Sequence, residues 1–236
     1  MPNRARFKDL EGTILVVTYG RSGSTLLQNL LNALPGHCIR GENGNLLLPL
    51  AQAWTRLRNT PNVRRLARNR TRTGPENPWF GAENIDDRRF GRALAQSFVR
   101  EVLAPPEGTR VTGFKEIRWA ESRTSLPAML DFARAFLPGV RIVFNTRDHA
   151  QVARSGWWAE QDPDTVRARL AAMEAQYHAY MQRHPECCLH VHYDDYVHDQ
   201  AALAPLFAFL DQPFDPAMVA AIMARRLTHL QPDTPS

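Results

Sequence analysis

A short glycine-containing segment, TYGRSGSTLL at positions 18–27, constrains the fold of this chain more than any other feature. The residues just before it, 13–17, are β-branched or apolar and are typical of a buried strand. The leucines after it recur with helical spacing, so the segment joins a strand to the beginning of a helix. Unpaired backbone N–H groups and the helix dipole point at the same place in such a turn. The segment therefore predicts a binding site for a phosphate or a similar anion.

The same segment lacks the pattern of loops that bind nucleoside triphosphates. That pattern is G-x-x-x-x-G-K-[ST], whereas Gly20 and Gly23 here enclose only Arg21 and Ser22. No lysine follows the second glycine, and the cation of the loop is an arginine at its start. The segment alone leaves open which phosphate group it binds.

Strands and helices are predicted to alternate along the chain. Further strand-like runs cover residues 37–39, 110–114, 141–145 and 189–192, and helical patterns cover 46–57 and 87–103. This alternation predicts a parallel sheet with helices on both faces, a P-loop-like three-layer α/β/α fold formed by a single domain over residues 1–236. Such sheets bind ligands at the carboxyl ends of their strands, where the candidate residues below are expected.

The composition is that of an ordinary globular protein. Apolar residues make up 44% of the chain and charged residues 22%. No run approaches the roughly 20 apolar residues of a membrane span, and the charged N-terminus does not resemble a signal peptide. Three cysteines, of which Cys187 and Cys188 are adjacent, do not make a disulfide framework. We therefore expect a reducing, cytoplasmic location.

The cationic residues are almost all arginine and are unevenly distributed. Of 29 cationic residues only Lys8 and Lys115 are lysines, and the net charge of +5 favours an anionic ligand. Seven arginines and no acidic residue lie between Arg56 and Arg72, and prolines follow. This composition predicts a mobile excursion over residues 56–80 rather than a part of the core.

A second candidate phosphate site follows the fourth predicted strand. Arg147 stands just past that strand, and Ser155 lies eight residues further on, in the helix expected to follow. A guanidinium and a hydroxyl at these places can converge on one phosphate, which arginine binds in a fork geometry. A single arginine at a strand end is more often a salt-bridge partner. The phosphate loop after the first strand shifts the balance towards a second phosphate site.

These motifs, with the late segment HYDDYVHDQAALAPLFAFLDQPF, resemble the sulfotransferases that use 3′-phosphoadenosine 5′-phosphosulfate (PAPS), in particular the bacterial members related to protein-tyrosine sulfotransferases. The resemblance runs from about Thr13 to Phe214. It implies a loop for the 5′-phosphosulfate, a site for the 3′-phosphate, and a tyrosine that lines the adenine or 3′-phosphate pocket. The residues at these places are Arg21, Ser22, Gly23, Ser24 and Thr25 for the loop, Arg147 and Ser155 for the 3′-phosphate, and Tyr193 for the pocket, although a core tyrosine is an equal alternative for the last.

The resemblance also implies an activity. A sulfuryl group would pass from PAPS to an acceptor hydroxyl, leaving 3′-phosphoadenosine 5′-phosphate (PAP), without a metal ion. PAPS has no γ-phosphate, which accounts for a short loop without the lysine. Glu42 corresponds to the glutamate base of the tyrosine-sulfating relatives, and Lys115 and Arg21 are the candidate catalytic cations. Glu116 is the rival base, but neighbouring side chains on a strand point to opposite faces, so we do not expect it beside Lys115 in the site.

Other residues are weaker candidates. Trp157 and Trp158 could stack on adenine or on an acceptor ring, although packing is the simpler interpretation. His190 and His192 alternate on a strand as metal ligands do, but without a third ligand they are interpreted as structural. The segment ARRLTH, with Arg225, Arg226 and Thr228, is a candidate to close over the 3′-phosphate.

Two other classes of function stay open. A P-loop kinase for a nucleoside or another small molecule would need the missing lysine and a Walker-B aspartate. A basic nucleic-acid-binding module would use the arginines of 56–72, but no recognised nucleic-acid-binding pattern accompanies them. In a sulfotransferase this range is either a lid on the acceptor side or a solvated loop. The acceptor is a sugar, a lipid headgroup, a phenol or a peptide tyrosine, and neither a nucleic-acid partner nor a membrane span is expected.

Overall fold

Five parallel strands form one sheet at the centre of the protein. The structure is a computed structural model that describes residues 4–120 and 122–225. The strands pair in the order β2-β3-β1-β4-β5. Their bounds are Gly12–Val17 (β1), His37–Arg40 (β2), Val111–Glu116 (β3), Val140–Thr146 (β4) and Cys188–His192 (β5). The predicted P-loop-like three-layer α/β/α fold is confirmed.

Helices connect consecutive strands and cover both faces of the sheet. In chain order they are α1 (Ser24–Asn32), α2 (Leu47–Asn59), α3 (Pro61–Asn69), α4 (Asp87–Ser97), α5 (Ser125–Phe136), α6 (His149–Ala153), α7 (Pro163–Arg183), α8 (Tyr193–His198), α9 (Ala204–Phe209) and α10 (Pro216–Met223). None of the helices described here is both long and apolar enough to cross a lipid bilayer.

The central strand β1 contributes to two apolar cores. Leu15 and Val17 pack on one face with side chains of α2, α4, α5 and α7. Ile14 and Val16 pack on the other face with α1, α9 and α10. Successive side chains of a strand point to opposite faces, and every residue of β1 after Gly12 is buried. This double burial fixes the position of the loop that follows β1.

The elements agree with the sequence prediction except in the arginine-rich range. Each predicted strand occurs, with its ends within two residues of the expected positions. The predicted helix 87–103 is α4 followed by a π-helical turn, Phe98–Leu103. Helix α3 was not predicted, and it places Val63 and Leu66 in a small buried cluster with Ala82. Pro61 fits the first turn of this helix, and arginine is a good helix former, so a high arginine content is compatible with helix here.

The pairing of β3 with β1 depends on a glycine. A Cβ atom added at Gly113 would lie 1.9 Å from the backbone oxygen of Ile14, whereas one added at Gly12 would meet its nearest atom at 3.5 Å. We expect Gly113→Ala to lower the free energy of unfolding by about 3 kcal/mol, because two backbones would have to separate. Gly12→Ala, the matched change in β1, should lower it by less than about 1 kcal/mol. Urea unfolding checks this, and equal midpoints for the two variants would contradict it.

Candidate active site

The loop between β1 and α1 has the geometry of an anion-binding turn. Arg21 and Gly23 both have positive φ angles, 68° and 76°. Helix α1 begins at Ser24, and the residue before it, Gly23, has no side chain with which to cap the helix. The first N–H groups of α1 are therefore available to a bound anion. A left-handed arginine is uncommon, and such residues cluster at ligand-binding sites.

Buried hydrogen bonds fix the shape of this loop. The Thr18 hydroxyl donates to the backbone oxygen of Asn145 at 2.8 Å and lies 2.6 Å from the Ser22 hydroxyl. The Asn145 amide donates to the backbone oxygen of Ser22 at 3.0 Å and accepts from the Tyr196 hydroxyl at 2.9 Å. Thr18, Ser22 and Asn145 are fully buried. The Ser22 side chain thus holds the loop, and a ligand would meet its backbone.

Arg21 and Ser155, which are far apart in sequence, meet at the loop. The Arg21 Nε atom donates to the Ser155 hydroxyl at 2.8 Å. Ser155 does not lie in the helix after β4, as the sequence suggested, because α6 ends at Ala153. Ser155 has an extended backbone, with φ −119° and ψ 127°, and this turns its hydroxyl towards the loop.

Arg147 follows β4 and joins the same cluster. It donates from Nη1 to the backbone oxygen of Arg21 at 3.1 Å. Its guanidinium carbon lies 4.5 Å from the centre of the Tyr193 ring, a cation–π contact. Within the part of the chain that the structure describes, the buried Nε atom of Arg147 has no hydrogen-bond partner, and the Asp194 carboxylate lies 3.9 Å away. A buried donor without an acceptor is suited to an oxyanion ligand.

Tyr19 ties Arg147 to the loop, a role that the sequence analysis missed. Its hydroxyl accepts from the backbone N–H of Arg147 at 2.9 Å and lies 2.6 Å from the carboxylate of Glu174. Burial, with a contribution from Glu174, raises the pKa of Tyr19 above its usual value, so the hydroxyl stays protonated and can donate to that carboxylate. The available signal was a tyrosine inside the glycine motif, but its partner in α7 could not be recognised from sequence.

Aromatic rings cover the glycines of the loop. A Cβ atom at Gly23 would lie 2.0 Å from the Tyr193 ring, and one at Gly20 would lie 2.2 Å from the Trp157 ring. Trp158 is buried, and its indole N–H donates to the backbone oxygen of Gly20 at 3.0 Å. Packing therefore accounts for Trp158. The Trp157 side chain lies on the loop and is 49% exposed, so it is accessible to a ligand.

Glu42 and Lys115 meet at the ends of β2 and β3. Lys115 donates from Nζ to one carboxylate oxygen of Glu42 at 2.6 Å, and the guanidinium of Arg118 lies 3.6 Å from the other. The Lys115 side chain is 9% exposed and that of Glu42 is 34% exposed. Because β3 is hydrogen-bonded to β1, this pair lies at the same edge of the sheet as the loop.

Glu116 is buried, and its carboxylate is occupied by donors. One oxygen accepts from the backbone N–H groups of Asn43 and Asn45 at 3.3 and 3.0 Å. The other accepts from the N–H groups of Ile117 and Arg118 at 2.8 and 3.2 Å. Glu116 therefore fixes the segment that follows Glu42 and has no oxygen free for an acceptor hydroxyl.

The remaining candidates are less closely connected with this cluster. His190 and His192 both lie within hydrogen-bonding distance of the Thr146 hydroxyl, at 2.7 and 2.9 Å. Burial and two neighbouring histidines lower the pKa of His190, which agrees with a structural role. Over residues 4–120 and 122–225 no group of three or more histidines, cysteines or acidic residues is placed to hold a metal ion. Arg225 is exposed, and Arg226 and Thr228 lie outside the described residues.

A family model covers most of the chain. The model described as "Sulfotransferase family" matches residues 13–216, which include the loop, Glu42, Lys115 and Arg147. The chain belongs to the sulfotransferase family. Membership favours sulfuryl transfer over the phosphoryl transfer of the kinase alternative. No curated protein matches this sulfotransferase in sequence.

Two solved structures share the fold of this sulfotransferase. The sulfotransferase domain from the Synechococcus PCC 7002 olefin synthase is 19% identical, with a TM-score of 0.52, over 99% of this chain and 82% of that one. The sulfotransferase domain from the curacin biosynthetic pathway is 20% identical, with a TM-score of 0.51, over 91% of this chain and 77% of that one. At 19–20% identity, these two comparisons show that the chains share a fold.

Replacing Glu116 and replacing Glu42 should have different effects on the free energy of unfolding. Glu116→Gln replaces a buried carboxylate oxygen by an amide that cannot accept from all of these donors. We expect it to lower the free energy of unfolding by about 2–3 kcal/mol, the range for hydrogen bonds to a charged group. The matched change Glu42→Gln, in a partly exposed residue, should lower it by less than about 1 kcal/mol. Thermal and urea unfolding measure both, and the reverse order would contradict the structural role of Glu116.

Proposed function

We propose that this sulfotransferase transfers a sulfuryl group from PAPS to an acceptor hydroxyl. One observation carries the proposal: two motifs far apart in sequence meet at the uncapped beginning of α1. Arg21 binds Ser155 directly, and Arg147 binds the backbone of Arg21. A nucleotide with an anionic group at both its 3′ and its 5′ position matches two anion sites this close together.

The residues of the cluster fit such a donor. The N–H groups of residues 22–25, with the Ser24 and Thr25 hydroxyls, would hold the 5′-phosphosulfate. The Nε of Arg147, which has no hydrogen-bond partner among the described residues, and the Ser155 hydroxyl would hold the 3′-phosphate. Tyr193 and the exposed Trp157, whose rings lie against the glycines of the loop, would contact the nucleoside.

The transfer we propose is an in-line displacement at sulfur. PAPS supplies the sulfuryl group, and PAP is the product. Glu42 accepts the proton of the acceptor hydroxyl while the hydroxyl oxygen forms its bond to sulfur. The bond between sulfur and the phosphate oxygen breaks, and Lys115 and Arg21 stabilise the negative charge that develops on that oxygen. Positioning and charge stabilisation supply most of the rate enhancement in transfers of this kind.

The choice of Glu42 as the base depends on access. Its carboxylate is partly exposed and is held by Lys115, so it can reach a bound hydroxyl from a fixed position. The carboxylate of Glu116, in contrast, is fully buried and surrounded by backbone donors. A base needs a free lone pair within hydrogen-bonding distance of the proton that it removes. The partly exposed carboxylate of Glu42 is open to an acceptor, whereas both oxygens of Glu116 already accept from backbone N–H groups.

The donor assignment can be tested by ligand-induced stabilisation. PAP at a concentration a hundredfold above its dissociation constant should stabilise the fold by about 2.7 kcal/mol. 5′-AMP should do so much less, because it lacks the 3′-phosphate. Arg147→Ala should remove most of the preference for PAP, while Arg92→Ala, which changes an exposed arginine of α4 outside the cluster, should keep it. Equal shifts of the unfolding temperature with PAP and 5′-AMP would rule out the 3′-phosphate site.

The catalytic assignment can be tested by kinetics. Glu42→Gln should bind PAP normally and lower kcat by about 10²–10⁴, as expected for the loss of a general base. The acidic limb of its pH–rate profile should also disappear. Lys115→Ala should lower kcat more than it weakens PAP binding and should keep that limb, because its contribution is confined to the transition state. Glu107→Gln, in an exposed turn, is the control, and near-normal turnover by Glu42→Gln would show that Glu42 is not the base.

A further inference from the structure

The positive charge of this protein is concentrated in one segment. Residues 56–92 contain ten arginines and four acidic residues, a net charge of +6. The other residues contain 19 cationic and 20 acidic side chains, a net charge of −1, so this segment accounts for the whole excess of +5. A potential localised in this way is typical of a surface that attracts an anion.

Helix α3 presents arginines of this segment from a fixed position. Val63 and Leu66 anchor one side of the helix in a buried cluster. Arg64, Arg65 and Arg68 lie on the opposite side by helical spacing, and all three are exposed. None of the ion pairs among the described residues includes an arginine of the range 56–72. Their guanidinium groups are therefore free to bind an external anion.

These arginines line a cavity. An open cavity of about 1140 Å³ lies between α2, α3 and α5, and Arg58, Arg64, Arg65 and Arg68 contribute to its wall. Arg58 is held over the ring of Trp54 at 5.1 Å. The wall also contains two acidic residues, one of them Asp131. Four arginines against two carboxylates leave the wall with a net charge of +2, so the arginines predominate in the field of the cavity. The volume suits a ligand of the size of a small cofactor.

The cavity is separate from the candidate active site. Helix α2 begins at Leu47, next to the segment that Glu116 fixes, and none of the residues that line the cavity belongs to the candidate active site. Arg58 lies eleven residues further along, about 17 Å at 1.5 Å per residue. A ligand in the cavity would therefore not occupy the PAPS site. The acceptor-side role that the sequence suggests for residues 56–80 stays a prediction.

We propose that this cavity is a second anion site, for a ligand that carries two or more phosphate, sulfate or carboxylate groups. Several guanidinium forks on anchored helices match clustered oxyanions better than a single charge, because each fork can form a pair of charge-assisted hydrogen bonds. The ligand is either a free polyanion or the phosphorylated headgroup of a lipid, since both present the same chemistry to the arginines.

Calorimetric titration with tripolyphosphate tests the site in the full chain. The cavity variant replaces Arg64, Arg65 and Arg68 by glutamine. A charge-matched control replaces Arg88, Arg92 and Arg123, which are exposed and do not line the cavity. We expect the cavity variant to bind at least about tenfold more weakly and the control to stay within about twofold of the wild type. Unfolding midpoints should be unchanged in both, because the exchanged side chains are exposed.

Two further measurements distinguish the cavity from the candidate active site and identify the source of the ligand. Arg147→Ala should bind tripolyphosphate in the cavity as the wild type does, and only binding at the candidate active site would be lost in that variant. Sedimentation with phosphatidylcholine vesicles that contain phosphatidic acid distinguishes the sources. Vesicle binding that the cavity variant loses identifies a headgroup, and tripolyphosphate binding without vesicle binding identifies a free polyanion. The proposal is overturned if the wild type does not bind tripolyphosphate, or if both triple variants weaken binding equally.

Discussion

The arrangement of the site depends on the hydrogen bonds of one buried residue, Asn145. Asn145 belongs to β4, yet it is hydrogen-bonded through its backbone and its side chain to the loop that follows β1, and through its side chain also to α8. A buried polar group left without partners is costly, so these three elements can pack only in the register that satisfies it. The loop after β1 and the backbone of Arg147, which follows Asn145 by two residues, are thereby held in a fixed relative position.

The two carboxylates near the end of β3, Glu42 and Glu116, have different surroundings and differ in the role that we assign to them. Both carboxylate oxygens of Glu116 accept hydrogen bonds from backbone N–H groups, and these bonds fix the conformation of the segment after β2. Glu42 stands at the beginning of that segment, partly exposed, with its carboxylate held by Lys115. Both residues are glutamates, and they differ in burial and in the number of hydrogen-bond donors around the carboxylate. These differences are the reason why we assign a structural role to Glu116 and a reactive role to Glu42. The hydrogen bonds of Glu116 to the backbone of Asn43 and Asn45 hold the residues that directly follow Glu42, and this supports a defined position for its carboxylate.

The sequence predicted the sheet well because its signals are local. β-branched runs and leucine spacing are properties of neighbouring residues, and they were sufficient for five strands and for the turn after β1. The prediction was wrong for Ser155, because the helix after β4 ends at Ala153. Helix α3 was not predicted, because its many arginines hide the spacing of its two apolar anchors. The contact of Tyr19 with Glu174 spans 155 residues, so only the folded chain could reveal it.

The contact between Tyr19 and the backbone of Arg147 has a consequence for selectivity. It joins the end of β4 to the loop after β1 through a buried side chain, so the separation between the two elements that we propose to bind anions is fixed before any ligand arrives. A ligand that uses both elements must match this separation with its own charged groups. The loop after β1 and the end of β4 would then select ligands by the distance between their anionic groups. Nucleotides with a different number of atoms between those groups would bind poorly whatever their base.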